Sequence, residues 1–184
     1  MRGRHAGIFA MSCALATAAA GCDRAAPAAP AASEPAGREE LEARVKALEG
    51  LIPDQSHIMA DVSEHFTNLW FAGRAGNWPL ADFYLSETKA HLRWAVRRIP
   101  VRKDNQGHDV VLGNILEAFE NTQLTQLKQA VDRKDGPGFE RLYRESLTVC
   151  YSCHKASDKP YLKPRVPDEP ASRIITFDPN APAP

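Results

Sequence analysis

Cysteine is scarce in this chain of 184 residues, four in all, and that scarcity argues against a disulfide-stapled scaffold. Net charge is missing too. The 23 lysines and arginines balance 23 aspartates and glutamates, so a strongly electrostatic partner such as nucleic acid is not indicated. Strand-type alternation is lacking, and no sheet is required. There is no Gly-rich phosphate loop and no nucleophile elbow, and a Ser/His/Asp arrangement cannot be argued from spacing, so the chain does not read as an enzyme. The apolar run from Ala6 to Ala20 is too short to span a membrane.

That run, preceded by basic Arg2, Arg4 and His5, reads as a signal peptide over residues 1–21. It closes on Ala19-Ala20-Gly21-Cys22, which resembles a bacterial lipobox, with Ala19 where leucine is usual. Cys22 is therefore predicted to be acylated and to tether the chain to a membrane facing the bacterial periplasm. The rival reading is cleavage near Ala18 to Ala20, leaving a free thiol at Cys22. Residues 22–38 are nearly all small, and Pro27, Pro30, Pro35 and Gly37 break any helix, so they read as a flexible Ala/Pro tether. The proline-rich end, residues 162–184, is predicted to form no regular element, although Ile174, Ile175 and Phe177 are apolar enough to lie in a surface groove.

Between these ends, residues 39–161 suffice for one small domain, and its apolar residues fall at helical spacing. Ile58, Met59, Val62, Phe66, Leu69 and Trp70 mark a helix from Gln55 to about Gly73, with Asp54 as N-cap. A second runs from near Asn77 to Arg98, with Leu80, Phe83, Tyr84, Leu92, Trp94 and Ala95 as its buried side. A third is expected from Asp109 to Arg133, carrying Ile115, Leu116, Phe119, Leu124, Leu127, Ala130 and Val131. After the turn Asp135-Gly136-Pro137-Gly138, a fourth runs from Phe139 to about Ser157. The expected fold is all-α: an antiparallel four-helix bundle with a short extra N-terminal helix, Glu39 to Leu51, and disordered or extended termini. That extra helix is predicted to pack loosely or to mediate association, as in a homodimer.

The fourth helix carries Cys150-Tyr151-Ser152-Cys153-His154. Two cysteines three apart followed by histidine form the attachment signature of a c-type haem. The thiols add to the two haem vinyl groups, and on a helix Cys150 and His154 lie one turn apart, so all three side chains can address one porphyrin. Two other readings compete: a thiol redox pair, which lacks the expected strand–helix alternation, and half a zinc site, which lacks a second cysteine pair. Arg141, Arg144, Lys155, Lys159, Lys163 and Arg165 surround the motif in sequence. They form either a positive rim or solvated residues suited to a helix C-terminus.

A helical domain with this motif on its last helix resembles the cytochrome c prime family over about Pro53 to Tyr161, with Cys150, Cys153 and His154 as the matching residues. The resemblance implies one covalent haem c, His154 as proximal iron ligand, and either electron transfer with redox partners at the membrane or binding of small gases such as NO and CO. In such a fold the first helix presents the distal residue. At about 100° per residue, Met59 and His65 lie roughly 60° to either side of Val62, and both can border the interior. Methionine suits an electron carrier, so Met59 is the expected second metal ligand and His65 its rival. His57 is a weaker candidate. His91 and His108 read as surface or boundary residues, and Asp61 with Glu64 as a solvated acidic face.

Overall fold

The computed structural model describes residues 34–183. The signal peptide, Cys22 and most of the tether lie outside the described residues. The chain divides into two units, Met1–Ala47 and Leu48–Pro184. Helix α1, Glu34–Leu51, begins inside the stretch read as tether, and its Leu41, Val45 and Leu48 are exposed.

The second unit is mostly helical: α2 (Gln55–Arg74), α3 (Trp78–Arg98), α4 (Leu112–Phe119), α5 (Thr125–Asp132) and α6 (Gly136–Ala156). Local chemistry fixes the starts of three of these. Asp54 accepts from the His57 amide at 3.0 Å, Asn77 from Leu80 at 3.3 Å and Asp135 from Gly138 at 3.0 Å. Each satisfies an amide that has no partner within its helix. A proline in the first turn of α3 and α6 adds a preset φ.

Two departures from the sequence reading occur before α5. Val101–Lys103 (β1) pairs antiparallel with Asp109–Val111 (β2), Val101 opposite Val111, so the third helix starts at Leu112 and not at Asp109. Between α4 and α5, Glu120–Leu124 forms one π-helical turn. Backbone angles stay helical through Phe119, Glu120, Leu124 and Thr125, making Leu112–Asp132 one continuous rod. The reason lies in the sequence: Phe119 and Leu124, both buried, are five apart, a spacing that would put them on different faces of an α-helix. One wide turn returns Leu124, Leu127 and Val131 to the face of Phe119.

Helix α2 packs along α3 and α6, and α5 packs against α3 and α6. The core between them holds Leu69, Trp70, Tyr84, Leu85, Leu124, Leu127, Phe139 and Tyr143. Phe139 lies against Gly73 so closely that a Cβ there would sit 2.2 Å from its ring, so only glycine admits this approach. The face of α3 differs from expectation. Phe83 is 53% exposed, whereas Ala81, Leu85 and Thr88 are buried beside Tyr84 and Ala95. Thr88 belongs to the buried stripe because its hydroxyl donates to the Tyr84 carbonyl at 2.7 Å, which removes the cost of hiding a polar group.

Beyond α6 no regular element forms up to residue 183, yet part of this end is held. Asn68 on α2 accepts from the Ala171 and Ser172 amides, both at 3.1 Å, and Phe177 packs against Phe71 and Tyr84. Ile174 is not part of this docking and is 93% exposed. Among the described residues no helix is long and apolar enough to cross a membrane.

Candidate functional site

Cys150, Cys153 and His154 occupy the last two turns of α6. Helical geometry puts them on one side of the rod. Both thiols are free and half-buried. Burial, reinforced by Cys153, pushes the Cys150 thiol up to about 12, and burial raises Cys153 as well. Both are neutral thiols at physiological pH.

The backbone after α6 turns back on His154. Asp158 takes a left-handed φ of 57°, which a short polar side chain tolerates, and the Lys159 amide donates to the His154 carbonyl at 2.8 Å. The chain then brings the Leu162 carbonyl to 2.7 Å from His154 Nδ1. A carbonyl only accepts, so Nδ1 carries a hydrogen, and in the neutral imidazole Nε2 is the nitrogen with the lone pair. Metal-bound histidines are oriented this way, with the second nitrogen donating to a carbonyl or carboxylate.

Around these residues the apolar surface is incompletely covered. Leu147, Val149 and Cys150 touch the core but remain partly exposed. A hollow beside them is lined by Leu147, Thr148, Tyr151, Lys163 and Pro164. The residues present fit a c-type haem in three respects: paired thiols, an imidazole with Nε2 free, and apolar side chains left half-covered beside them.

Met59 is half-buried in the second turn of α2. Its helix meets α6 through aromatic stacks: Phe66 on Tyr143 at 4.3 Å and Trp70 on Phe139 at 6.3 Å between ring centres. Tyr143 also donates to the Phe66 carbonyl at 2.9 Å. His65 points elsewhere, its ring 4.8 Å from that of His91 on α3. His57 is bound to the Asp54 cap and solvent-exposed, and His108 to Asp104 in the β1–β2 turn.

No family model, curated protein or solved structure matches this chain. Of the basic residues around the motif, Arg141 pairs with Glu145 at 2.8 Å, Arg165 with Asp168 at 3.0 Å, and Arg144 lies over the Trp70 ring at 5.1 Å. Lys155 lies over Tyr151. The sequence reading missed the pairing of His65 with His91. Its signal was present as two acid-histidine pairs at helical i,i+4 spacing, Asp61 with His65 and Glu87 with His91.

Proposed function

We propose that this protein is a monohaem c-type cytochrome that carries electrons, held on the periplasmic side of a bacterial membrane by a lipid on Cys22. The observation that carries the reading is the Leu162 carbonyl fixing His154 with Nε2 free, one residue after a Cys-x-x-Cys pair. In this reading Cys150 and Cys153 supply the two thioether sulfurs and His154 the proximal nitrogen. Bound there, haem iron would take up and release one electron. The neutral state of both thiols weighs against disulfide exchange, for which a lowered thiol pKa is the usual device.

The proposed arrangement is an antiparallel four-helix bundle like that of cytochrome c prime. It is supported by the ring of neighbours in which α2 meets α3, α3 meets α5, α5 meets α6 and α6 meets α2. The stacks of Phe66 on Tyr143 and Trp70 on Phe139 step forward along α2 and backward along α6, as oppositely directed helices must. Met59 lies about two turns before Phe66, and Cys150 about two turns after Tyr143, which puts the two at one level on facing sides. Met59 is thus the residue α2 offers to a group held by Cys150. His65 lies toward α3 and about two turns further along.

The test is the absorption spectrum of the periplasmically matured protein with a pyridine haemochrome assay. One covalent haem per chain is expected, with a low-spin spectrum that becomes high-spin in Met59→Ala. No covalent haem would overturn the reading. An unchanged low-spin spectrum in Met59→Ala would remove Met59 as ligand. Rapid carbon monoxide binding by the ferrous wild type, with no protein ligand displaced, would favour a gas-binding protein over a carrier.

A further inference from the structure

His65, Glu87 and His91 lie away from the Cys150–His154 motif, in the seam between α2 and α3. Each offers a donor atom, and the three atoms lie within 4.8 Å of one another. Two details set this cluster apart from a chance grouping. The His91 Nδ1 sits 2.9 Å from the Glu87 carbonyl, which can only accept, so Nδ1 holds a hydrogen and Nε2 is the nitrogen left for a metal. That nitrogen points to the acidic side chain of Asp61, 3.8 Å away. The second detail is His65 Nδ1, a buried polar atom with no hydrogen-bond partner, an arrangement that is costly unless something supplies the missing contact.

We propose that these residues form a second metal site, independent of haem, that takes a divalent first-row transition ion of the zinc class. Two imidazoles with one or two carboxylates are the donor set such ions prefer, whereas calcium and magnesium call for oxygen alone. Tetrahedral zinc at about 2.0–2.2 Å from each donor holds its ligands roughly 3.4 Å apart. The three donor atoms, within 4.8 Å of one another, are spread somewhat wider than that and would have to draw together around the ion. His65 and His91 supply nitrogen, Glu87 supplies oxygen, and Asp61, one turn before His65, is placed to complete four ligands. His91 is oriented as metal-bound histidines are, with its outer nitrogen on a carbonyl. Because the donors come from both helices, a bound ion would clamp α2 to α3.

The experiment uses the full-length matured protein, stripped with a chelator and titrated with zinc chloride by calorimetry, with bound metal counted by mass spectrometry. One zinc per chain at micromolar or tighter affinity is expected, with a thermal midpoint raised by zinc. His91→Gln should weaken binding more than the roughly 10–100-fold that outer-shell changes cost and abolish the thermal shift, while the exposed control His57→Gln changes neither. Glu87→Gln, at a side chain 37% exposed, serves as a second variant with little risk to folding, and weaker zinc binding is expected there too. Absence of micromolar binding, or binding as tight as wild type in both His91→Gln and Glu87→Gln, overturns the proposal. Haem content, read separately from the absorption spectrum, is expected to survive zinc removal, so the two readings fail or stand independently.

Discussion

The first half of α6 buries Phe139, Leu142, Tyr143 and Ser146, whereas every residue from Leu147 to Ala156 is half-buried or exposed. One rod thus has two kinds of environment. At the first end aromatic rings stack on α2, Gly73 is pared to hydrogen to admit Phe139, and Arg74 and Arg144 lie over the Trp70 ring. At the other end, cysteines and an oriented imidazole stand among apolar side chains that touch the core without being covered by it. Well-packed interiors leave few such edges. The contrast teaches that burial along α6 is concentrated at its packed end, while the cysteine end leaves apolar side chains half-covered, where the proposed haem would lie.

The largest expected break in that contrast is Phe139→Ala, which should cost about 3–5 kcal/mol in urea unfolding because a large ring leaves a closed core. Leu147→Ala, half-buried, should cost about 1–2 kcal/mol, and more once haem is attached, since the group would cover that side chain. Equal losses at both positions in the haem-free chain would dissolve the distinction between the ends.

A second effect is confined to alkaline pH. A thiol whose folded-state pKa is raised keeps its proton longer in the folded chain than in the unfolded one. Its stabilisation is complete below the ordinary thiol range and drains away as pH rises from about 9 toward the folded value of about 12. Haem-free protein should therefore lose stability across that window, and the Cys150→Ala variant should lose less. With haem attached as proposed, a thioether would have no proton to give, and the slope should flatten.

The smallest expected effect is at the start of α2. Asp54→Ala removes the cap bonded to the His57 amide and should lower the thermal or denaturant midpoint slightly. That amide bond holds the Asp54 carboxyl well below the usual carboxylate range. The cap therefore acts at neutral pH and is lost as pH falls below the ordinary carboxylate value toward the folded one. Wild type and Asp54→Ala should converge in strong acid.

How much of this was legible beforehand depended on whether the signal was local. The cap at Asp54 and the start near Asn77 were legible because each signal acts within one turn, whereas Asp135–Gly138, read as a turn before a helix at Phe139, is the cap and first residues of α6. The β1–β2 hairpin escaped because strands of three residues are too short to display alternation. The stripe of α3 was misread at Phe83 since Thr88, a polar member of the buried face, disguised its phase. Cys150, Cys153 and His154 stood out as a contiguous motif, but the Leu162 carbonyl that orients the imidazole comes from a turn that no periodicity announces. His65 and His91 were each read alone, because their meeting depends on the register between two helices.

The π turn at Glu120–Leu124 changes what a deletion would mean in this chain. Removing one residue from an ordinary helix rotates everything beyond it by about 100° and carries its buried side chains into water. Between Phe119 and Leu124 the same loss would bring those two to the ordinary four-residue spacing, replace the wide turn by a regular one, and keep Leu127, Ala130 and Val131 facing inward. The rod therefore holds one removable residue at a known address, a point where length can vary while the inward face on both sides is preserved.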